Sequence, residues 1–136
     1  FSDALDRATT IVLCPSNPFV SIDPILAIPG VRGRLQKPSA PRIAVSPIIG
    51  GKAVRGPAGK MLAELGHGSS SAAVAAHYQG LCDMFFLDEA DAGAASEITA
   101  LGMRAVVAPT LMLNDDDKVR LARRVLDAAA TPVHQR

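Results

Sequence analysis

Short β-branched apolar runs alternate with helix-forming stretches along the chain, and turn residues separate them. Thr10 to Cys14 predicts a buried strand, and Pro15 to Pro18 its exit loop. Ser21 or Asp23 fits a helix cap before Pro24, with one apolar turn over Ile25 to Ile28 that stops at Pro29–Gly30. Val31 to Gln36 predicts a second short helix. Arg42 to Ser46 reads as the second strand and Pro47 to Gly56 as a glycine-rich loop. Pro57 to Leu65 reads as a helix closed by Gly66. Ser69 to Ser71 can cap a helix over Ala72 to Gln79. Met84 to Asp88 and Arg104 to Ala108 predict two more strands, with a helix around Glu97 to Leu101 between them. Asp115 to Ala130 predicts the last helix, acidic in its first turn, with Val119, Leu121, Ala122, Val125 and Leu126 as one apolar stripe.

This β-α alternation predicts an α/β fold: a Rossmann-like, mostly parallel sheet with helices on both faces. With 136 residues, 49% hydrophobic and 20% charged, the chain suits one buried domain. The formal net charge of +1 supplies no field for nucleic acid or a membrane surface. The arginines at 32 to 34, 55 and 120 to 124 are too dispersed for a nucleic-acid stripe. Cys14 and Cys82 match no metal-ligand spacing, so buried, reduced thiols and a cytoplasmic setting are expected. No apolar run reaches the roughly 18 to 20 residues that span a bilayer. The opening FSDALDRATT reads as a helix end or connector, and its lack of Met suggests a chain that begins partway.

Two loops carry candidate chemistry. Ser16, Asn17 and Pro18 with Ser21 stand at the end of the first strand, where short polar side chains and a helix start can hold phosphate or ribose oxygens. Ordinary turn chemistry explains them equally well. The second loop runs from Ser46 through Gly50–Gly51–Lys52 to Arg55–Gly56. Adjacent glycines allow close backbone approach, and Lys52 and Arg55 could offset charge. It is not a Walker A loop. It leans toward function because exposed Ile48 and Ile49 would be wasteful in a plain connector. Asp83, Asp88, Glu89 and Asp91 have no diagnostic metal spacing and read as solvated loop acids, and Asp115 to Asp117 as helix N-terminal charge. His67, His77 and His134 lack a nucleophile at motif spacing. With Tyr78 alone and no Trp, no stacking platform for single strands is expected.

At PSNPFVSIDPILAIPG and AVSPIIGGKAVRGPAGKML, and on through GLCDMFFLDEAD and VVAPTLM, the chain resembles the 2-phospho-L-lactate transferase family of coenzyme F-420 biosynthesis. The resemblance implies a Rossmann-like fold with a small helical insertion, magnesium as cofactor and a homodimer. It implies transfer of a phospho-carboxylate from a guanosine-diphosphate-linked donor to the deazaflavin Fo, with release of GMP. Matched by motif, Ser16, Asn17, Pro18, Ser21 and Ile22 stand in the family's nucleotide-side loop. Ser46, Gly50, Gly51, Lys52 and Gly56 stand in its second loop, where Lys52 and Arg55 are the candidates for offsetting charge on the diphosphate. By the same resemblance, residues 1 to 136 form the C-terminal part of a single domain. The N-terminal half, with the expected metal ligands, would lie outside it. A nucleotide or nucleotide-sugar binding regulator of the same fold is the rival expectation, and a structural half that pairs with another chain is the third.

Overall fold

The computed structural model describes residues 1–37, 40–54, 56–66 and 68–131. Arg55, His67 and the tail with His134 therefore lie outside the described residues. After helix α1 (Ser2–Arg7), four strands form one sheet: β1 (Ile11–Leu13), β2 (Arg42–Val45), β5 (Met84–Leu87) and β6 (Arg104–Val107). Their order is β1-β2-β5-β6 and every pairing is parallel. β2 and β5 are buried at every position, which explains why RIAV and MFFL read as continuous rather than alternating apolar runs. Phe85 and Phe86 point to opposite faces, and burying each contributes roughly 2 to 3 kcal/mol.

Each step along the sheet runs in the same direction, so right-handed crossovers put the connecting helices on one face. On that face α5 (Ser71–His77) and α6 (Ala95–Ala100) bring Val74, Tyr78 and Ile98 against Leu13, Ala44, Phe85 and Leu87. Beside them α2 (Asp23–Leu26) and α3 (Val31–Leu35) bury Leu26, Val31 and Leu35 with Leu81. The other face is covered by α7 (Asp115–Ala130), whose Leu121, Val125 and Ala128 pack on Ile43, Val45, Met84 and Phe86. The expected stripe on α7 is thus displaced. Val119 is 47% and Leu126 58% exposed, because the face toward the sheet follows Leu121, Val125 and Ala128 at spacings of four and three. At the sheet edge Val12 pairs in register with Ile43, yet it lies beyond the reach of α7 and stays 41% exposed.

The expected loop over Pro47 to Gly56 contains a two-stranded hairpin, β3 (Ile48–Ile49) and β4 (Lys52–Ala53), which forms its own small sheet. Ile48 is fully buried in the α5 face of the core, so it is not the exposed residue that the sequence suggested. Both cysteines are free. Cys82 is buried, and burial pushes its thiol up to about 12, whereas Cys14 is exposed at the end of the edge strand. No helix among the described residues is long and apolar enough to cross a membrane.

Candidate functional site

A cleft of about 610 Å³ opens where β1, β2 and β6 end, on the side where parallel α/β sheets hold ligands. Three loops wall it. The first follows β1 and contributes Pro15, Ser16, Asn17, Val20 and Ser21. Here the chain enters not an ordinary helix but a single π-helical turn, Pro18–Ile22. Asn17 is its cap, and α2, the helix for which Ser21 or Asp23 was the expected cap, has Ile22 at its cap position and no side-chain cap bond. The Asn17 Oδ1 accepts from the Phe19 N–H at 2.9 Å and the Val20 N–H at 3.4 Å. Its Nδ2 donates to Met61 Sδ at 3.3 Å, which ties the turn to α4 (Ala58–Glu64). Pro18 is buried at the first position of the turn, and Ile22 packs into the core, so both shape the loop from behind.

The acid that sequence offered as a cap does something else. The Asp23 backbone N–H donates to the Pro18 carbonyl and closes the turn, while its two carboxylate oxygens lie 2.8 and 3.0 Å from His77 Nε2. The His77 ring sits edge-on to Phe19 and Tyr78, with centroids at 5.0 and 5.6 Å. The pair pins the back of the first loop to the end of α5.

The second wall comes from Ser46, Pro47, Ile49, Val54, Gly56 and Pro57. Gly50 and Gly51 occupy the hairpin tip with φ of 59° and 74°, the positive values that a type I′ turn demands at both central positions. They shape the wall and do not line the cleft, and Lys52 stands exposed on β4 outside the lining. Ser46 borders the cleft but is only 2% exposed. Its Oγ accepts from the Ile48 N–H at 3.1 Å and lies 3.0 Å from the Ser71 hydroxyl. Gly59 of α4 backs the hairpin so closely that a Cβ there would meet Ser69 Oγ at 2.8 Å and the Ala53 nitrogen at 3.3 Å.

The third wall was not among the residues singled out in the sequence. Thr110, Leu111, Met112 and Leu113 follow β6, and Lys118 projects from the second turn of α7. Asn114 caps α7 by accepting from the Asp117 N–H at 2.9 Å, while Asp117 reaches back to accept from the Leu113 N–H at 3.0 Å. That bond, with Arg120 next, holds the Asp117 carboxyl below the usual range. Lys118 Nζ lies 2.8 Å from Asp115 and is the one cation among the described lining residues. Two sequence signals reach this wall: VVAPTLM is part of the family resemblance, and the loop stands at the carboxyl end of the last parallel strand.

Asp88 ends β5 and accepts from the Thr110 N–H at 2.9 Å, the Thr110 hydroxyl at 3.2 Å and the Ala90 N–H at 3.0 Å. Burial pushes its carboxyl up, but these hydrogen bonds outweigh burial and hold it below the usual carboxylate value. Among the described residues no group of three or more His, Cys, Asp and Glu side chains could hold a metal ion. Asp88 accepts through both of its oxygens and Asp91 through Oδ2, and no such metal-holding group among the described residues includes either of them. What the cleft offers is short polar side chains on one side, a lysine on the other, and an apolar border of Val20, Ile49, Val54 and Leu111. Such a space suits a ligand with an anionic end and a flat or apolar end.

Fold and cleft together define a parallel α/β protein with an open cleft at the carboxyl ends of its strands. A sequence model of the family described as 2-phospho-L-lactate transferase CofD matches residues 1–111, and the chain belongs to that family. A phosphoenolpyruvate transferase of Streptomyces griseus is 44% identical over 128 residues, covering 93% of this chain and 40% of the relative. A 2-phospho-L-lactate transferase of Methanosarcina mazei is 40% identical over 126 residues, covering 93% and 41%. The same description applies to a protein of Methanothermobacter thermautotrophicus, 40% identical over 124 residues, with 91% and 40% covered. The chain spans about 40% of the length of these relatives.

Proposed function

We propose that the protein carrying this chain transfers a phospho-carboxylate from a guanosine-diphosphate-linked donor to the hydroxyl of the deazaflavin Fo. In that reaction the acceptor oxygen bonds the phosphorus that bears the carboxylate. The bond from that phosphorus to the GMP oxygen breaks, GMP leaves, and the hydroxyl proton passes to solvent. The observation that carries the proposal is the three-walled cleft at the strand ends of a chain that belongs to the transferase family.

The residues present contribute by positioning and by offsetting charge, which is how phosphoryl transfer is mostly catalysed. Ser16, Asn17 and Ser21 face the diphosphate as hydrogen-bonding groups. Lys118 offsets negative charge from the opposite wall, and the apolar border takes a ring. Lys52 and Arg55 remain proposed charge carriers in the second loop. Magnesium dependence and a homodimer belong to the same proposal through the resemblance; chelation and sedimentation test them.

The test is an assay of the complete natural protein with Fo and three donors, phosphoenolpyruvyl, 2-phospholactyl and 3-phosphoglyceryl, read by product mass. All three are needed because the described lining holds no contact that separates an enol from a lactyl group. The expected result is Fo plus one phospho-carboxylate, with GMP formed in equal amount. GDP binding without product from any donor would favour the regulator instead.

A further inference from the structure

The short turn after β5 carries two carboxylates that reach in different directions. Asp88 holds Thr110 and so the third wall of the cleft. Asp91, three residues on, accepts from the Gly50 N–H at 3.0 Å and from the Ser71 hydroxyl at 3.2 Å. Ser71 is 1% exposed, and its hydroxyl lies 3.0 Å from that of Ser46, which receives the Ile48 N–H. Asp91 is therefore linked to the tip of the hairpin directly and to its base through two buried serines. Neither carboxylate lines the cleft.

The hairpin needs such a link. It has two residues per strand and no ladder joins it to the main sheet, and an isolated hairpin is marginal in water. Burial of Ile48 anchors one strand, and at the tip the Ser69 hydroxyl donates to the Gly51 carbonyl at 2.8 Å, which leaves the Gly50 N–H to be held from the β5 side. A carboxylate accepting from a backbone N–H makes a charge-assisted bond, stronger than a neutral one. We propose that Asp91 is a positioning residue that sets the second wall of the cleft, with Asp88 setting the third, so that one rigid turn fixes the opening offered to the donor. The proposal rests on the transferase reading above.

Freeing the hairpin lowers the fraction of molecules with a binding-competent cleft, and apparent Kd and KM rise by the inverse of that fraction. Turnover at saturating donor is then unchanged. Partial unfolding acts the other way, lowering kcat per total protein and leaving KM alone.

The experiment uses the complete natural protein with Asp91→Ala, Asp91→Asn and Asp88→Ala. It reads GDP affinity by calorimetry, KM and kcat for the guanosine-diphosphate-linked donor, and amide exchange by NMR. Asp91→Ala removes the bonds from the Gly50 N–H and the Ser71 hydroxyl and should raise both KM and the Kd for GDP about tenfold or more, with kcat within about twofold. Exchange should quicken at the Gly50 amide and not in β5. Asp91→Asn keeps an acceptor oxygen and should recover most of the effect. Asp88→Ala should quicken exchange at Thr110 instead. If Asp91→Ala does not fold, Ser71→Ala keeps the Gly50 bond while removing the hydroxyl's contacts with Asp91, Ser46 and the Ile48 carbonyl, and should raise KM about threefold. Unchanged KM and GDP affinity in Asp91→Ala, or a fall in kcat at constant KM, would overturn the proposal. So would a Gly50 amide that exchanges freely in the unsubstituted protein. If the unsubstituted protein neither binds GDP nor transfers, while the amides respond as described, the wall-setting role stands and the transferase reading falls.

Discussion

The two ends of the central sheet handle polar groups in opposite ways. At the amino end, the Arg42 guanidinium and the Asp83 carboxylate meet between β2 and β5 and satisfy each other. Asp83 accepts from the Arg42 backbone N–H at 2.9 Å and from its Nε at 3.0 Å, and Arg42 Nη1 donates to the carbonyls of Leu35 and Gly80. The two groups are thereby taken up with each other and with backbone carbonyls. At the carboxyl end, Ser16, Asn17, Ser21 and Lys118 border an open cleft. The amino end is closed by its own ion pair and the carboxyl end carries the cleft proposed to bind, so substitutions at the two ends should separate stability from binding.

The largest effect on stability is expected at the amino end. Asp83→Ala strands the Arg42 guanidinium, which is only 8% exposed. Because the Asp83 side chain is 30% exposed, the expected cost is toward the low side for a broken ion pair, about 2 to 3 kcal/mol. Thermal unfolding reads the loss, and calorimetry on the folded protein should show unchanged GDP affinity. A weakened affinity there would erase the contrast between the ends.

Asn17 should sharpen it from the other side. Asn17→Ala removes the cap of the π-helical turn and should cost about 1 kcal/mol while weakening GDP roughly tenfold. Asn17→Asp keeps the capping oxygen and loses only the weak Nδ2 bond to Met61 Sδ, so most of the stability stays, but it sets a negative charge beside the proposed diphosphate. Its unfolding midpoint should stay near that of the unsubstituted protein, and its GDP affinity should fall further than that of Asn17→Ala. Equal affinity in the two variants would show that Asn17 serves the turn alone.

The smallest effect is in the acid range. Folding holds the Asp88 carboxyl below its ordinary value, so its contribution is complete above the unfolded carboxylate value of about 4 and is lost as pH falls through the folded one. Unfolding measured from pH 6 down to pH 2 should show a shallower decline for Asp88→Asn than for the unsubstituted protein. Identical slopes would mean that the Thr110 bonds contribute nothing to folding.

The strands and long helix were legible because their signals are local. Buried parallel strands read as RIAV and MFFL, and α7 begins and ends where Asn114, three aspartates and the alanine run place it. The hairpin was not, since two-residue strands are too short to show a period, although Gly50–Gly51 between apolar residues was a type I′ signal in view. The stripe on α7 was drawn too wide, because which side of a helix meets the sheet depends on how far the sheet extends beneath it. In the cleft, the first two loops were marked by their Ser, Asn and Gly chemistry. Thr110 to Leu113 carries no such polar chemistry; the VVAPTLM resemblance touches it, and the parallel order of the strands brings it to the same end. Asp88 and Asp91 read as solvated acids, because their partners lie 22 and 41 residues away along the chain.

The central claim is that the cleft at the carboxyl ends of β1, β2 and β6 holds the nucleotide. Hydrogen exchange of the complete natural protein, read by mass spectrometry with and without saturating GDP, tests it most directly. Protection should appear in the segments 15–21 and 110–113 and be absent from the Arg42–Asp83 end of the sheet. GDP that binds and protects neither segment would contradict it.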